Sequence, residues 1–133
     1  MKRILGLLLL TLHPLSADAS AEQAPKLRAG YAILCDTQKE VERYVELAHQ
    51  GVKDHVAIPQ VNKEFPTPSG GPACSALYFV YHRNKTVMTF EEKEGTYSIL
   101  RVDVFGFPDY AGYWQPIDAI ERFTVWFDPA EPI

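Results

Sequence analysis

Past the first 21 residues of this 133-residue sequence, the side chains able to do chemistry are few: Cys35 and Cys74, the histidines His49, His55 and His82, and the carboxylates Glu91, Glu92 and Glu94 around Lys93. His49 and His55 stand six apart with Asp54 between them. That spacing is neither the i, i+4 pair that stacks two imidazoles on one helix face nor a zinc-ligand signature, so no metal centre is expected. No serine sits in a Gly-x-Ser-x-Gly elbow where a histidine could activate it. Paired carboxylates act as acid and base only when their environments differ across a substrate. Glu91, Glu92 and Glu94 fall in a turn between strands, which exposes all three, and their charge guards the apolar Phe90 against edge association. No catalytic residue, metal ligand or cofactor site is assigned.

Two cysteines with no Cys-x-x-Cys pair read as one structural disulfide in an exported chain. A Cys35–Cys74 bond would close a loop of about 40 residues, worth roughly 4 kcal/mol in lost unfolded-state entropy. The other chemically rich stretch is Phe105-Gly106-Phe107-Pro108-Asp109-Tyr110-Ala111-Gly112-Tyr113-Trp114. Its Pro-Asp-Tyr-Ala-Gly centre must be a loop. Aromatic side chains on a loop supply rigid apolar area with a polar tip, the means of contacting a protein, a peptide or a glycan. Tyr110, Tyr113 and Trp114 are the candidate ligand-binding residues, with the two tyrosines exposed. The competing reading has Phe105, Phe107 and Trp114 capping the end of a barrel.

The leader sets where this chemistry would take place. Met1-Lys2-Arg3 is a basic head, Ile4 to Leu12 an apolar run too short to span a bilayer, and Ala19 and Ala21 are small residues near a cleavage point. This is the three-part pattern of a secretory signal over 1–21, so the mature chain is expected to be periplasmic or secreted, without a stable membrane span. Residues 22–133 are the length of one domain. A formal net charge of −4 argues against nucleic acid as a partner, which would need a basic face for phosphate contacts.

The elements that position these residues follow from pattern. Residues 22–29 read as a loose lead-in and Tyr31 to Cys35 as a buried strand bounded by Gly30 and Asp36. Thr37 and Glu40 form a capping-box pair, and Val41, Tyr44, Val45 and Ala48 share one helix face that Gly51 terminates. Val52 to Phe65 suggests a broken helix or a single turn, because Pro59 lacks the N–H a helix interior needs. Pro66 to Pro72 is a loop. Strands are expected at Ala76–Tyr81 and Thr86–Phe90 around a His82–Lys85 turn, and at Tyr97–Phe105 with Leu100, Val102 and Val104 inward. Tyr113–Ile117 and Phe123–Phe127 complete the set, with 129–133 as a tail.

The predicted fold is α+β: a small, strongly curled antiparallel sheet or half-open barrel, with a helical insertion between the first and second strands. The C-terminal strands with Gly112-Tyr113-Trp114 resemble bacterial SH3-type barrels. The segments Gly30 to Thr37, Val61-Asn62 ahead of Ala73-Cys74, Gly95-Thr96-Tyr97, and Trp114 to Ile117 resemble small exported bacterial proteins of uncharacterised function. That resemblance implies a two-cysteine exported domain and no particular chemistry. The functional expectation is a non-catalytic binding or accessory domain acting through the aromatic loop. The alternatives are a small secreted inhibitor or immunity-type protein and, third, a hydrolase whose site is assembled from distant residues.

Overall fold

The structure, a computed structural model, describes residues 26–131; the expected signal segment 1–21 lies outside them. In chain order the elements are β1 (Leu27–Cys35), α1 (Gln38–His49), α2 (Asp54–Glu64), β2 (Cys74–Glu92), β3 (Gly95–Pro108) and β4 (Trp114–Pro129). The strands form an antiparallel meander that curls until β4 meets β1. Long registers hold β1 to β2, β2 to β3 and β3 to β4, whereas the closing seam has only two paired positions, Leu34↔Thr124 and Cys35↔Phe123. Above that seam β1 and β4 diverge. No helix among the described residues is long and apolar enough to cross a membrane.

Strand alternation makes two cores. Leu34, Phe79, Leu100, Val102 and Val104 fill the barrel interior, as expected for the inward residues of β3. Ile33, Cys35, Cys74 and Ile99 lie on the opposite face, where α1 and α2 cover them with Val41, Val45, Leu47, Ala57 and Val61. Each large aliphatic side chain so buried is worth about 1.5–3 kcal/mol of transfer free energy.

Helix α1 begins and ends as its sequence dictates. The Glu40 carboxylate accepts the Thr37 backbone N–H at 2.9 Å and the Thr37 hydroxyl at 2.7 Å. At the far end Val52 N–H donates to Leu47 O and Gly51 N–H to Ala48 O, the paired bonds of a Schellman stop. Contrary to the broken-helix expectation, α2 runs unbroken for 11 residues through Pro59. Pro59 lies on the exposed side, where water can satisfy the carbonyl it leaves unpaired, while Ala57 and Val61 are fully buried one turn apart. Arg43 of α1 ties the helices together, with Nε 2.8 Å and Nη2 3.2 Å from the two Glu64 oxygens. Both partners are solvent-facing, so this fork fixes orientation more than it adds stability.

Three strand expectations need correction. The lead-in does not reach 29: β1 starts at Leu27, because Leu27 to Gly30 pair with His82 to Phe79 despite carrying no readable pattern of their own. His82-Arg83-Asn84-Lys85 is no turn. β2 passes straight through it with register shifts at Arg83/Lys85 and Thr86/Met88, and Arg83 to Thr86 are exposed there. A bulged, bent strand shows polar residues on both faces and so mimics a turn in sequence. Likewise 113–117 and 123–127 are not separate strands but parts of β4, interrupted where Val104↔Ile120 gives way to Gly106↔Pro116.

Candidate functional site

The aromatic loop is built on the last rung of the β3–β4 ladder, Pro108↔Trp114. Five residues, 109–113, cross from one strand to the other. Asp109 organises them: its Oδ1 accepts the N–H groups of Ala111 and Tyr113, both at 2.9 Å, and its Oδ2 accepts the Gln115 side-chain amide at 2.9 Å. Asp109 N–H donates to Tyr113 O at 2.8 Å, and Gly112 N–H to Asp109 O at 3.0 Å. The turn closes through Gly112 at φ +89°, a backbone angle that side-chain-bearing residues rarely adopt. The Tyr113 N–H above all, helped by Ala111, Gln115 and Gly112, holds the Asp109 carboxyl below the ordinary aspartate range.

This frame places the expected residues as follows. Tyr110 is fully exposed, Tyr113 is 73 % exposed and Trp114 is 43 % exposed. Phe107 packs against the barrel-interior cluster, and Phe105 lies edge-on to His82 with ring centroids 4.6 Å apart. The ten-residue run is thus split by strand alternation and the loop: the phenylalanines pack and the tyrosines project.

The remaining polar candidates stay apart. His49 ends α1 and its Nδ1 lies 2.9 Å from Glu92 Oε1; His55 is exposed on α2. The glutamates are not equally exposed, since Glu92 is half-buried beneath His49 while Glu91 and Glu94 face solvent. No group of three or more His, Cys, Asp or Glu side chains among the described residues is placed to hold a metal.

Cys35 and Cys74 form a disulfide and stand directly opposite each other in the β1–β2 register, Cα atoms 4.1 Å apart. The next pair, Asp36 and Ala73, exchanges a ladder hydrogen bond, so the cysteines occupy a position where backbone groups point away from the partner strand. The outward N–H and C=O of Cys74 are satisfied by Asn62, whose Oδ1 accepts the N–H at 2.7 Å and whose Nδ2 donates to the C=O at 3.0 Å. One side chain thus stands in for a strand and pins α2 to the base of β2. An asparagine twelve residues before a cysteine carries no signal in the sequence that would show this role.

A second aromatic surface forms from residues far apart in the sequence. Tyr31 and Tyr78, with centroids 4.9 Å apart, and Tyr97 and Phe127, 4.7 Å apart, gather where β1 and β4 diverge. Their separation in sequence hid them. A scan against known protein families and searches of the curated proteins and of the solved structures find no match to this chain.

Proposed function

We propose that this chain is an exported, non-catalytic binding domain that contacts its partner through the β3–β4 loop, with Tyr110 and Tyr113 as anchors and Trp114 beside them. The observation that carries this reading is the Asp109 frame: three side-chain-accepted bonds hold a loop whose two tyrosines have almost no intramolecular packing. Ordering a recognition loop in advance lowers the entropy lost on binding, and aromatic anchors yield the most contact area for the fewest torsions. A disulfide is consistent with an oxidising compartment, which supports export under the 1–21 signal. The curled four-stranded meander supports, at the level of fold, the SH3-like reading of the C-terminal half.

The partner class fitted by two exposed tyrosines flanking a tight turn is a cell-wall glycan, whose sugar rings present flat apolar faces edged with hydroxyls. Titrating the 15N-labelled protein with soluble peptidoglycan fragments should shift amides of 109–115 and the Trp114 indole. The Tyr110→Ala/Tyr113→Ala double variant should lose those shifts while its stability stays within about 0.5 kcal/mol of the parent, as for exposed positions. Shifts confined to other residues, or none at millimolar fragment, would refute the reading. So would a double variant destabilised by several kcal/mol, which would mean the tyrosines serve packing.

A further inference from the structure

The groove left by the diverging β1 and β4 lies at the opposite end of the β3–β4 ladder from the 109–113 loop. It encloses about 240 Å3 and draws one aromatic residue from each of four elements: Tyr31 of β1, Tyr44 of α1, Tyr97 of β3 and Phe127 of β4. Its one carboxylate is Asp54, the first residue of α2. Tyr44 donates its hydroxyl to Asp54 Oδ1 at 2.6 Å, and Oδ2 has no hydrogen-bond donor among the described residues. Tyr31, at 59 % exposed, and Phe127, at 39 %, form the rim.

Aromatic faces carry negative potential and attract cations, the more so where water is partly excluded. A helix N-terminus by itself favours anions, with about half a positive charge. Here the full negative charge of Asp54 exceeds it, and the Val56 and Ala57 N–H groups are already taken by Lys53 O. The character of the cation follows from its hydrogen bonds. A primary ammonium brings three donors that must be repaid when it leaves water. The groove offers a single carboxylate between rings and the aliphatic side chains of Ile33 and Val125. A quaternary ammonium has no N–H donors to satisfy and fits such walls.

We propose that this groove is a binding site for a quaternary ammonium group, held among the rings of Tyr31, Tyr44, Tyr97 and Phe127 with Asp54 as counter-ion. The site is independent of the loop reading above. The test is a titration of the 15N-labelled protein with choline, with its uncharged isostere 3,3-dimethyl-1-butanol, and with methylammonium. Choline should shift amides around Tyr31, Asp54, Tyr97 and Phe127, leave 109–113 unmoved, and bind about tenfold or more tighter than either analogue. Asp54→Asn keeps an acceptor for the Tyr44 hydroxyl, so the fold should persist while choline affinity falls about tenfold and that of the isostere does not change. Tyr31→Ala, at a rim position, should weaken choline while the loss of its packing on Tyr78 lowers the melting temperature by only a few degrees. Co-sedimentation with phosphatidylcholine vesicles would assign the group to a lipid headgroup; its absence, with free choline still bound, would assign it to a soluble molecule. Equal affinity for choline and its isostere, no choline shift at tens of millimolar, or an unaffected Asp54→Asn variant would overturn the proposal.

Discussion

Replacing Asn62 with Ala removes the one side chain among the described residues that satisfies the outward backbone groups of Cys74, and the structure gives the size of the effect. Cys74 is 1 % exposed, so water cannot take over its N–H and C=O. An unpaired buried polar group costs about 1–3 kcal/mol, and two of them give roughly 2–6 kcal/mol. In urea this should appear as a midpoint lowered on the order of 1–3 M with the slope unchanged. Asn62→Asp separates the two bonds: the carboxylate still accepts the Cys74 N–H but faces the Cys74 carbonyl without a proton to give. It should therefore be at least as damaging as Ala near neutral pH, and its deficit should shrink at pH values low enough to protonate it. Hydrogen exchange at the Cys74 amide supplies the local readout, slow in the parent and fast in both variants. An Ala variant within about 0.5 kcal/mol of the parent, with the Cys74 amide still protected, would refute the strand-surrogate argument.

Replacing both cysteines with Ser should cost roughly 4 kcal/mol, the loop-closure value for a 39-residue separation, measured by denaturation against the oxidised parent; a loss below about 1 kcal/mol would show that residual structure already restrains the unfolded chain. Gly95→Ala should destabilise by about 1–3 kcal/mol, because at φ +155° an added Cβ runs into the backbone of Asp128 and Pro129 across the β3–β4 ladder, and thermal melting reads it directly. The Asp109 carboxyl has a lowered folded-state pKa, so the loop order it supports is complete above the unfolded value of about 3.9 and is lost as pH falls through the lower folded one. An NMR titration following the Ala111 and Tyr113 amides should show that transition below the ordinary aspartate midpoint; a midpoint at or above it would contradict the geometry.

Local pattern was sufficient for α1, because a capping pair, a 3.6-residue apolar stripe and a terminal glycine all act within a few residues of one another. It was sufficient for the inward face of β3, where alternation is strict, and for the disulfide, where a chain with two cysteines admits a single intramolecular pairing. It also located the projecting tyrosines, since Pro108 to Gly112 can only be a turn. It failed at Arg83–Lys85 and at Ile117–Ala119, where β2 and β4 bend through bulges that a barrel needs in order to curl and that expose polar residues on both faces.

What the sequence by itself determined is therefore whatever depends on neighbours in the chain: the helix ends, the alternating strand, the turn and the cysteine pair. Tertiary structure alone decided what depends on chain segments brought together from afar. Asn62 acquires its role only because the Cys35–Cys74 pair turns two backbone groups outward at a point where β2 has no strand on that side. The Tyr31, Tyr44, Asp54, Tyr97 and Phe127 groove exists only because β1 and β4 pair at two positions and then diverge. The physical reason is common to both: hydrogen-bond satisfaction and enclosure are properties of the assembled register, and strand register is fixed by the packing of the whole sheet rather than by any one segment.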